Sequence, residues 1–559
     1  MSSKPGEDES ERFGEAGPTD QEDVQVELDA DKVLNAFGTL PKYQTLVCVY
    51  ASSYWIVFAP IVMSSAFITM TPPFACTVDT DAIRTSNYTG LALDKSCTTN
   101  SSTAGRDLIC GTNGTEFVFD GDFGTTVVSE FNLVCSRKGE VQMSSSSLMI
   151  GAMTSQVVVT GLSDRFGRRT TMVPLSWMLV LTTFALPFCS SHWLFVLVRF
   201  CVGFCNAAMG SVCWLLVCET APLRSRSLLP ILSHCSWTTG YILTGLLAYW
   251  FREWRHMMLA LACLTLLYIP VYWLLPESLH WRLGHKRERC TQVLPNVAQR
   301  VNGKEIDLSA CVKLERQHLS RRPFIHIFRY PRMLLCLASI SFIATSNSLA
   351  YWGLTLFSTR LSEDRFLGYT LAGLMEIPAS VIGISMLQIS GRRSVLQVAL
   401  LTCIAAFSTF IFLPADTPSW LRLAVWMAGK AGNMLVYAST DVFFPESLPT
   451  TVRHASYGAY HFILEIGSTV APYVGEMGER DPALPMIVFC IGCLIGCILT
   501  LNLPETRGKA MPIDLPDLRK GPAERFLNRI LGRQADAPSK EPVRCSDDKN
   551  SEFSEALVA

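Results

Sequence analysis

Long uncharged apolar stretches alternate with short polar intervals over most of the chain. They fall at 46–70, 144–162, 171–189, 193–217, 228–250 and 256–275, and after a charged interval at 333–358, 366–388, 394–414, 420–441, 455–475 and 484–503. A helix needs roughly 20 apolar residues to cross the hydrocarbon of a bilayer. The pattern therefore predicts twelve membrane-spanning helices in an all-α integral membrane protein with the lipid bilayer as its surroundings. Pro187, Pro270 and Pro378 fall inside or at the ends of spans, which membrane helices tolerate when neighbours satisfy the freed carbonyls. The chain divides into a tail at 1–45, six spans at 46–275 with a long loop at 71–143, a linker at 276–332, six more spans at 333–503 and a tail at 504–559.

Composition removes the competing classes. Only 17% of the 559 residues are charged, 49% are apolar and the mean hydropathy is +0.28, against about 25% charged residues in a soluble domain. The formal net charge of −1 lacks the clustered basic excess that nucleic acid requires. From Glu7 to Asp31 there are eleven acidic residues and one basic one, Arg12, so this tail is expected to be disordered. The first apolar run begins at Leu46, behind that tail, which is not the arrangement of a cleavable signal peptide.

Basic residues set the orientation. The 162–170 loop carries Arg165, Arg168 and Arg169, and the 276–332 interval carries twelve basic residues from Arg282 to Arg332. Twelve spans place both on the side of the two termini, which is then cytosolic. The 71–143 loop falls outside, and it holds three N-glycosylation sequons, at Asn87, Asn100 and Asn113. Cys76, Cys97, Cys110 and Cys135 lie in or beside that loop, where oxidation is allowed; three disulfide pairings are open. The 201–218 cysteines lack a close CxxC pair or a partnering His and read as apolar packers rather than a metal site. With no GxxxxGK[ST] loop, neither an enzyme, a cofactor nor a metal is expected.

The two sets of spans share their punctuation. Gly167-Arg168-Arg169 recurs as Gly391-Arg392-Arg393, Glu219 and Arg226 recur as Glu446 and Arg453, and Pro276-Glu277-Ser278 recurs as Pro504-Glu505-Thr506. Three matches in order, at nearly constant offset, argue for two homologous six-helix halves, an architecture that carries its substrate site near midplane between them. Asp164, Arg165, Arg168, Arg169, Glu219, Arg226, Glu446 and Arg453 are the candidate gating residues. Acids and arginines at helix ends can form charge-assisted bonds, a latch expected to be made with the inside closed and broken when it opens.

Gly161-Leu-Ser-Asp164-Arg165-Phe-Gly167-Arg168-Arg169 resembles the signature loop of the major facilitator superfamily. Thr126-Val-Val-Ser-Glu130-Phe-Asn-Leu-Val-Cys135, Leu275-Pro-Glu-Ser278 and Gly373-Leu-Met-Glu376-Ile-Pro-Ala379 are similar to the organic cation, organic anion and carnitine transporters, solute carrier family 22. The likeness covers about residues 40–510. It implies a twelve-helix major facilitator fold and a plasma-membrane carrier working by alternating access. Its cation branch tends to have an acid at the position of Glu465, where the anion and carnitine branches tend to have Arg. The second-half repeat, Leu387-Gln-Ile-Ser-Gly391-Arg-Arg393, lacks the Asp-Arg pair, so a weaker or differently built latch is expected there.

An ionisable residue within a span is a functional candidate, since inserting one costs about 2.5–3.5 kcal/mol. Glu376, Glu465, Lys430 and Arg199 are such residues. Aromatic faces bind organic cations at about 0.5–2 kcal/mol each, and matching to the family's spans offers Trp214, Trp237 and Tyr351, with Trp352 beside the last. The expected ligand is a small organic cation recognised by Glu465, Glu376 and these rings. The alternatives are a carnitine, zwitterion or anion carrier using Lys430 and Arg199, and a receptor-like protein that transports nothing. Glu376 and Lys430 also read as a packing pair, and Arg199 as a structural or gating feature of the fourth span.

Overall fold

The structure, a computed structural model, describes residues 27–28, 42–78, 115–220, 229–270, 275–285, 312–313, 329–360, 364–414, 416–448, 453–481 and 483–507. Among the described residues twelve helices follow one another: α1 (Lys42–Met63), α2 (Gly139–Phe166), α3 (Arg168–Ala185), α4 (His192–Thr220), α5 (Leu229–Trp250), α6 (Trp254–Thr265), α7 (Pro331–Phe357), α8 (Arg365–Ile389), α9 (Arg392–Phe412), α10 (Ser419–Ser447), α11 (Arg453–Arg480) and α12 (Ala483–Leu499). The twelve apolar runs each correspond to one of them.

Several helices outrun their apolar stretches, because a helix continues past the residues that face hydrocarbon. α2 extends the 144–162 run at both ends, and α10 passes the 420–441 run by six residues. Seven helices (α1, α3, α4, α7, α8, α9 and α12) are long and apolar enough by composition alone to cross a membrane. The remainder include α2 with Ser144–Ser147, α10 with Lys430, Asn433 and Asp441, and α11 with Glu465 and Glu476. Polar residues sit on helices that face other helices, so the path between the halves lowers the apparent hydropathy of its own walls. α8 breaks at Met375, since Pro378 has no N–H to offer the Leu374 carbonyl.

Each half has its own core. Within the first, α2 and α4 approach so closely that a Cβ on Gly203 would lie 2.0 Å from the Leu148 carbonyl oxygen, the small-residue contact usual between membrane helices. The strands Phe74–Val78 and Thr115–Phe119 pair antiparallel at the base of the long loop. Cys76 lies in the first of them, and Cys135 is disulfide-bonded. Asn87, Asn100, Asn113, Cys97 and Cys110 fall outside the described residues. The expectation of disorder from Glu7 to Asp31 is corrected at Glu27–Leu28, which pairs antiparallel with Val312–Lys313. Glu27 stands opposite Lys313 in that register.

The repeated motifs become two turns of the same construction on one face of the membrane domain, the turn side; the opposite face, carrying the 71–143 segment, is the loop side. In the first half Arg168 grips Glu219 with two bonds, from Nε at 3.1 Å and Nη2 at 2.8 Å, and reaches Asp164 at 2.9 Å. Glu277 accepts the backbone N–H groups of Arg168 (2.7 Å) and Arg169 (3.3 Å), so a carboxylate caps the start of α3 where its positive dipole end lies. In the second half Arg392 meets Glu446 at 3.3 Å, and Glu505 accepts from the N–H groups of Arg392 (2.8 Å) and Arg393 (3.2 Å). No acid corresponds to Asp164 there; Thr506 donates to Glu446 at 2.7 Å instead.

Gly167 has φ +100°, and a Cβ there would lie 2.5 Å from Glu277 Oε2; at Gly391 the same clash is to Glu505, also 2.5 Å, but φ is −66°. Gly167→Ala thus combines a clash with backbone strain of about 1–3 kcal/mol, whereas Gly391→Ala carries the clash alone. Thermal unfolding of the detergent-purified variants should show the larger loss of Tm for Gly167→Ala. Equal losses would mean that the left-handed turn contributes nothing.

Candidate functional site

α1, α5, α7 and α10 converge on a chain of aromatic rings that crosses from one half to the other. Trp55 and Phe58 of α1 have ring centroids 4.8 Å apart and lie 6.0 and 5.8 Å from Trp237 of α5. Trp237 meets Tyr351 at 6.4 Å and Trp352 at 6.5 Å on α7, and Tyr351 meets Tyr437 of α10 at 5.3 Å. Trp55, Phe58, Trp237, Trp352 and Tyr437 remain partly exposed, so ring faces are left for a guest; Tyr351 is buried. Trp214, on α4, joins none of these ring contacts among the described residues.

Against these rings lies a fully buried ion pair. Lys430 and Glu376 stand 3.3 Å apart, both side chains with no exposure. Tyr351 donates its hydroxyl to Glu376 Oε1 at 2.7 Å, and Trp237 donates its indole N–H to Glu376 Oε2 at 3.1 Å. Lys430 donates to Thr355 Oγ1 at 2.5 Å and lies 3.5 Å from the Tyr351 ring centre. Glu376 therefore accepts from three neighbours, one of them the cation that neutralises it. Lys430, the cation that an anion carrier would need, is taken up by the same pair.

Two other acids differ. Glu465 of α11 is partly exposed and accepts a hydrogen bond from Ser468; among the described residues no cationic side chain pairs with it. Asp441 of α10 is exposed, one turn beyond Tyr437, and likewise unpaired among the described residues. The Tyr437 hydroxyl lies within the field of Glu465, Asp441 and Glu376, which gathers the acids around one end of the ring chain. Sequence reading misses Asp441 because the apolar run stops at it, although the helix continues to Ser447. Trp55 could have been found by the signal that marks Trp237, small polar neighbours, here Ser52 and Ser53.

The halves are joined on the loop side. Arg365 donates to the Phe123 carbonyl at 2.8 Å, Lys138 meets Glu476 at 3.8 Å and Ser146 donates to the Thr469 carbonyl at 2.7 Å. Stacked Tyr241 and Tyr369 (4.4 Å) and stacked Phe67 and Phe366 (5.7 Å) add apolar closure. Trp237 adds two bonds across the halves, to Tyr351 and to Glu376. The Arg168 guanidinium reaches Asp164 and Glu219, both inside its own half. Arg165 lies over the Phe166 ring at 5.5 Å. Arg226 is outside the described residues, and Arg453 is the first residue of α11. Glu277 and Glu505, which complete the two turns, were legible as a repeat but not as part of the cluster.

At the foot of the long loop Glu130 accepts from the Trp254 indole N–H at 2.6 Å and from Arg255 Nε at 3.0 Å. Burial pushes the Glu130 carboxyl up, but the hydrogen bonds and charge of Arg255 and the bond from Trp254 outweigh it and hold the carboxyl below its ordinary value. A depressed carboxyl contributes above its unfolded pKa and loses that contribution as pH falls through the folded one, so this anchor is intact at neutral pH.

Twelve helices in two like halves, with a polar and aromatic site between them, are the arrangement of a membrane transporter. A family model described as the Major Facilitator Superfamily matches residues 117–472, and the chain belongs to that superfamily. The xylose transporter XylE from E. coli, partially occluded and inward open, shares the fold at TM-score 0.55 and 14% identity, covering 84% of this chain and 100% of that one. Within the superfamily the chain is similar to members of solute carrier family 22. Organic cation/carnitine transporter 2 of Homo sapiens is 27% identical over 87% of this chain and 93% of its own. An organic cation transporter protein of Drosophila melanogaster is 27% identical over 72% and 75%, and solute carrier family 22 member 13 of Homo sapiens 29% identical over 71% and 72%.

Lys430→Ala leaves Glu376 buried without a counter-charge, which is expected to cost about 3–5 kcal/mol. The double variant Glu376→Gln with Lys430→Met should recover most of that loss. Thermal unfolding of both in detergent checks this, and equal destabilisation would show that the pair is not the cause.

Proposed function

We propose that this protein is a plasma-membrane carrier that moves small organic cations by alternating access, with Glu465 as its main cation-recognising charge. The observation that carries the reading is a partly exposed carboxylate with no cationic partner among the described residues, within the electrostatic reach of Tyr437 at the end of a chain of part-exposed rings. A weakly hydrated organic cation satisfies both, through charge on one side and cation–π contact on the other. An anion or zwitterion finds Lys430 already paired and Arg199 buried inside the first half. The similarity to the organic cation transporter protein of Drosophila melanogaster supports the cation reading.

With the arginine-rich turns in the cytosol, both termini are inside and the halves are closed toward the outside, the inward-facing arrangement of the cycle. The cation would then enter down the membrane potential, worth about 2.3 kcal/mol per charge per 100 mV, without a coupled ion.

Cells expressing the protein should accumulate a labelled quaternary ammonium ion, less so when depolarised, and labelled carnitine or an organic anion should accumulate little. Glu465→Gln should cut cation uptake at least tenfold at unchanged surface expression. Unaltered uptake kinetics in that variant across several cations would overturn the assignment of Glu465. Preferred uptake of the anion would overturn the substrate class, and no uptake of any of the three would favour a receptor.

Orientation has its own test. Protein made in animal cells should lose mass on glycosidase treatment, and substitution of Asn87, Asn100 and Asn113 together should abolish that shift. An unglycosylated wild-type chain would put the long loop in the cytosol.

A further inference from the structure

Arg199 of α4 is the buried charge that the transport site does not use. It is 1% exposed. Its guanidinium has five donors, yet among the described residues it donates to one acceptor, the Ser65 hydroxyl, and its Nε is buried without a partner. The Phe195 ring lies 5.6 Å away, and no carboxylate of the described residues comes within ion-pair distance. A guanidinium stays protonated even when buried, and an uncompensated charge in a membrane interior is strongly unfavourable. Something must balance it.

The cavity beside it says what could. Arg199 lines a small space walled by Ile61 of α1 and Ser64 just beyond it, Leu148 of α2, Thr183 of α3 and Met258 and Leu261 of α6, with room for a single water-sized guest. All of these helices belong to the first half, so the space is separate from the aromatic chain between the halves. The hydroxyls of Ser64 and Thr183 donate to helix carbonyls, Ile61 at 2.8 Å and Leu179 at 2.6 Å, and rotation of either hydroxyl would turn its hydrogen toward a guest. A carboxylate or phosphate is too large for this space. Water fits but brings no charge. A monatomic halide is close to water in size and carries the missing negative charge.

We infer that Arg199 holds a single chloride ion inside the first half, where the ion neutralises the guanidinium and ties together the five helices around it. The inference rests on Arg199 and its cavity and does not depend on the sign of the transported substrate. The ion is a resident of the fold, since no residue of the second half lines the cavity.

Purified wild-type protein in detergent should show a Tm several degrees higher in sodium chloride or bromide than in sodium gluconate of equal ionic strength, with a saturable dependence on halide. Arg199→Gln should remove the halide dependence. Crystals of the wild-type protein grown in bromide should show anomalous density beside Arg199, a readout that holds even where the variant fails to fold. Identical wild-type Tm in gluconate together with no bromide density would overturn the inference and leave water as the guest. A halide effect that persists in Arg199→Gln would also overturn it, by placing the halide elsewhere. Loss of cation uptake in Glu465→Gln, or its retention, changes neither result.

Discussion

A charge inside a membrane protein has to be neutralised, and the Glu376–Lys430 pair shows how completely this chain can do so. Both side chains have no exposure, and the carboxylate is further held by Tyr351 of its own half and Trp237 of the other. The indole bond makes the pair more than a packing device. It fixes α5 of the first half against α7 and α8 of the second. Glu465 and Asp441 stand in contrast, since among the described residues no cationic side chain pairs with either.

The two turns are solved by the same physics on a smaller scale. Each places an arginine between helix ends and a carboxylate beneath the backbone N–H groups that open the next helix, so that the orphan donors and the positive dipole end are both satisfied. Among the described residues the Arg168 and Arg392 contacts each stay within one half, which braces that half. A half held rigid by its own turn can rotate as a unit. Such rocking of one repeat against the other is what alternating access about a central site requires.

Hydropathy alone made the twelve helices legible, because a span that faces lipid has no alternative to being apolar. Its limits were set by the same rule. Helices that line the path carry polar residues, so α2, α10 and α11 fall short of an apolar span and their apolar runs end early. Asp441 was lost at such an edge. Punctuation was a better guide than hydropathy to the turns, since Gly167 and Gly391 and the acids Glu219, Glu446, Glu277 and Glu505 stand at almost constant offset. What the offset did not tell was geometry: that Glu277 sits under Gly167, or that Arg168 reaches both its acids within one half. Pairing across distance was the least legible feature. Glu376 and Lys430 lie 54 residues apart, with nothing in the local sequence to choose between a pair and two separate ligand contacts.

The side on which the halves are joined follows from the kind of contact that each face offers. On the loop side, rings stack across the interface, Tyr241 on Tyr369 and Phe67 on Phe366, and the polar links are one arginine to a carbonyl, one long ion pair and one serine bond. None of these is strong alone; exposed ion pairs contribute about 0–1 kcal/mol and aromatic pairs about 0.5–1.5 kcal/mol beyond their buried area. Their sum is of the size that a substrate can oppose, since an organic cation held by one carboxylate and two or three ring faces gains a few kcal/mol by the same rules. Had the halves been fastened by buried pairs like Glu376 and Lys430, no small ligand could shift the balance. The strong interactions therefore lie within a half or at its pivot, and the weak ones lie where the halves part.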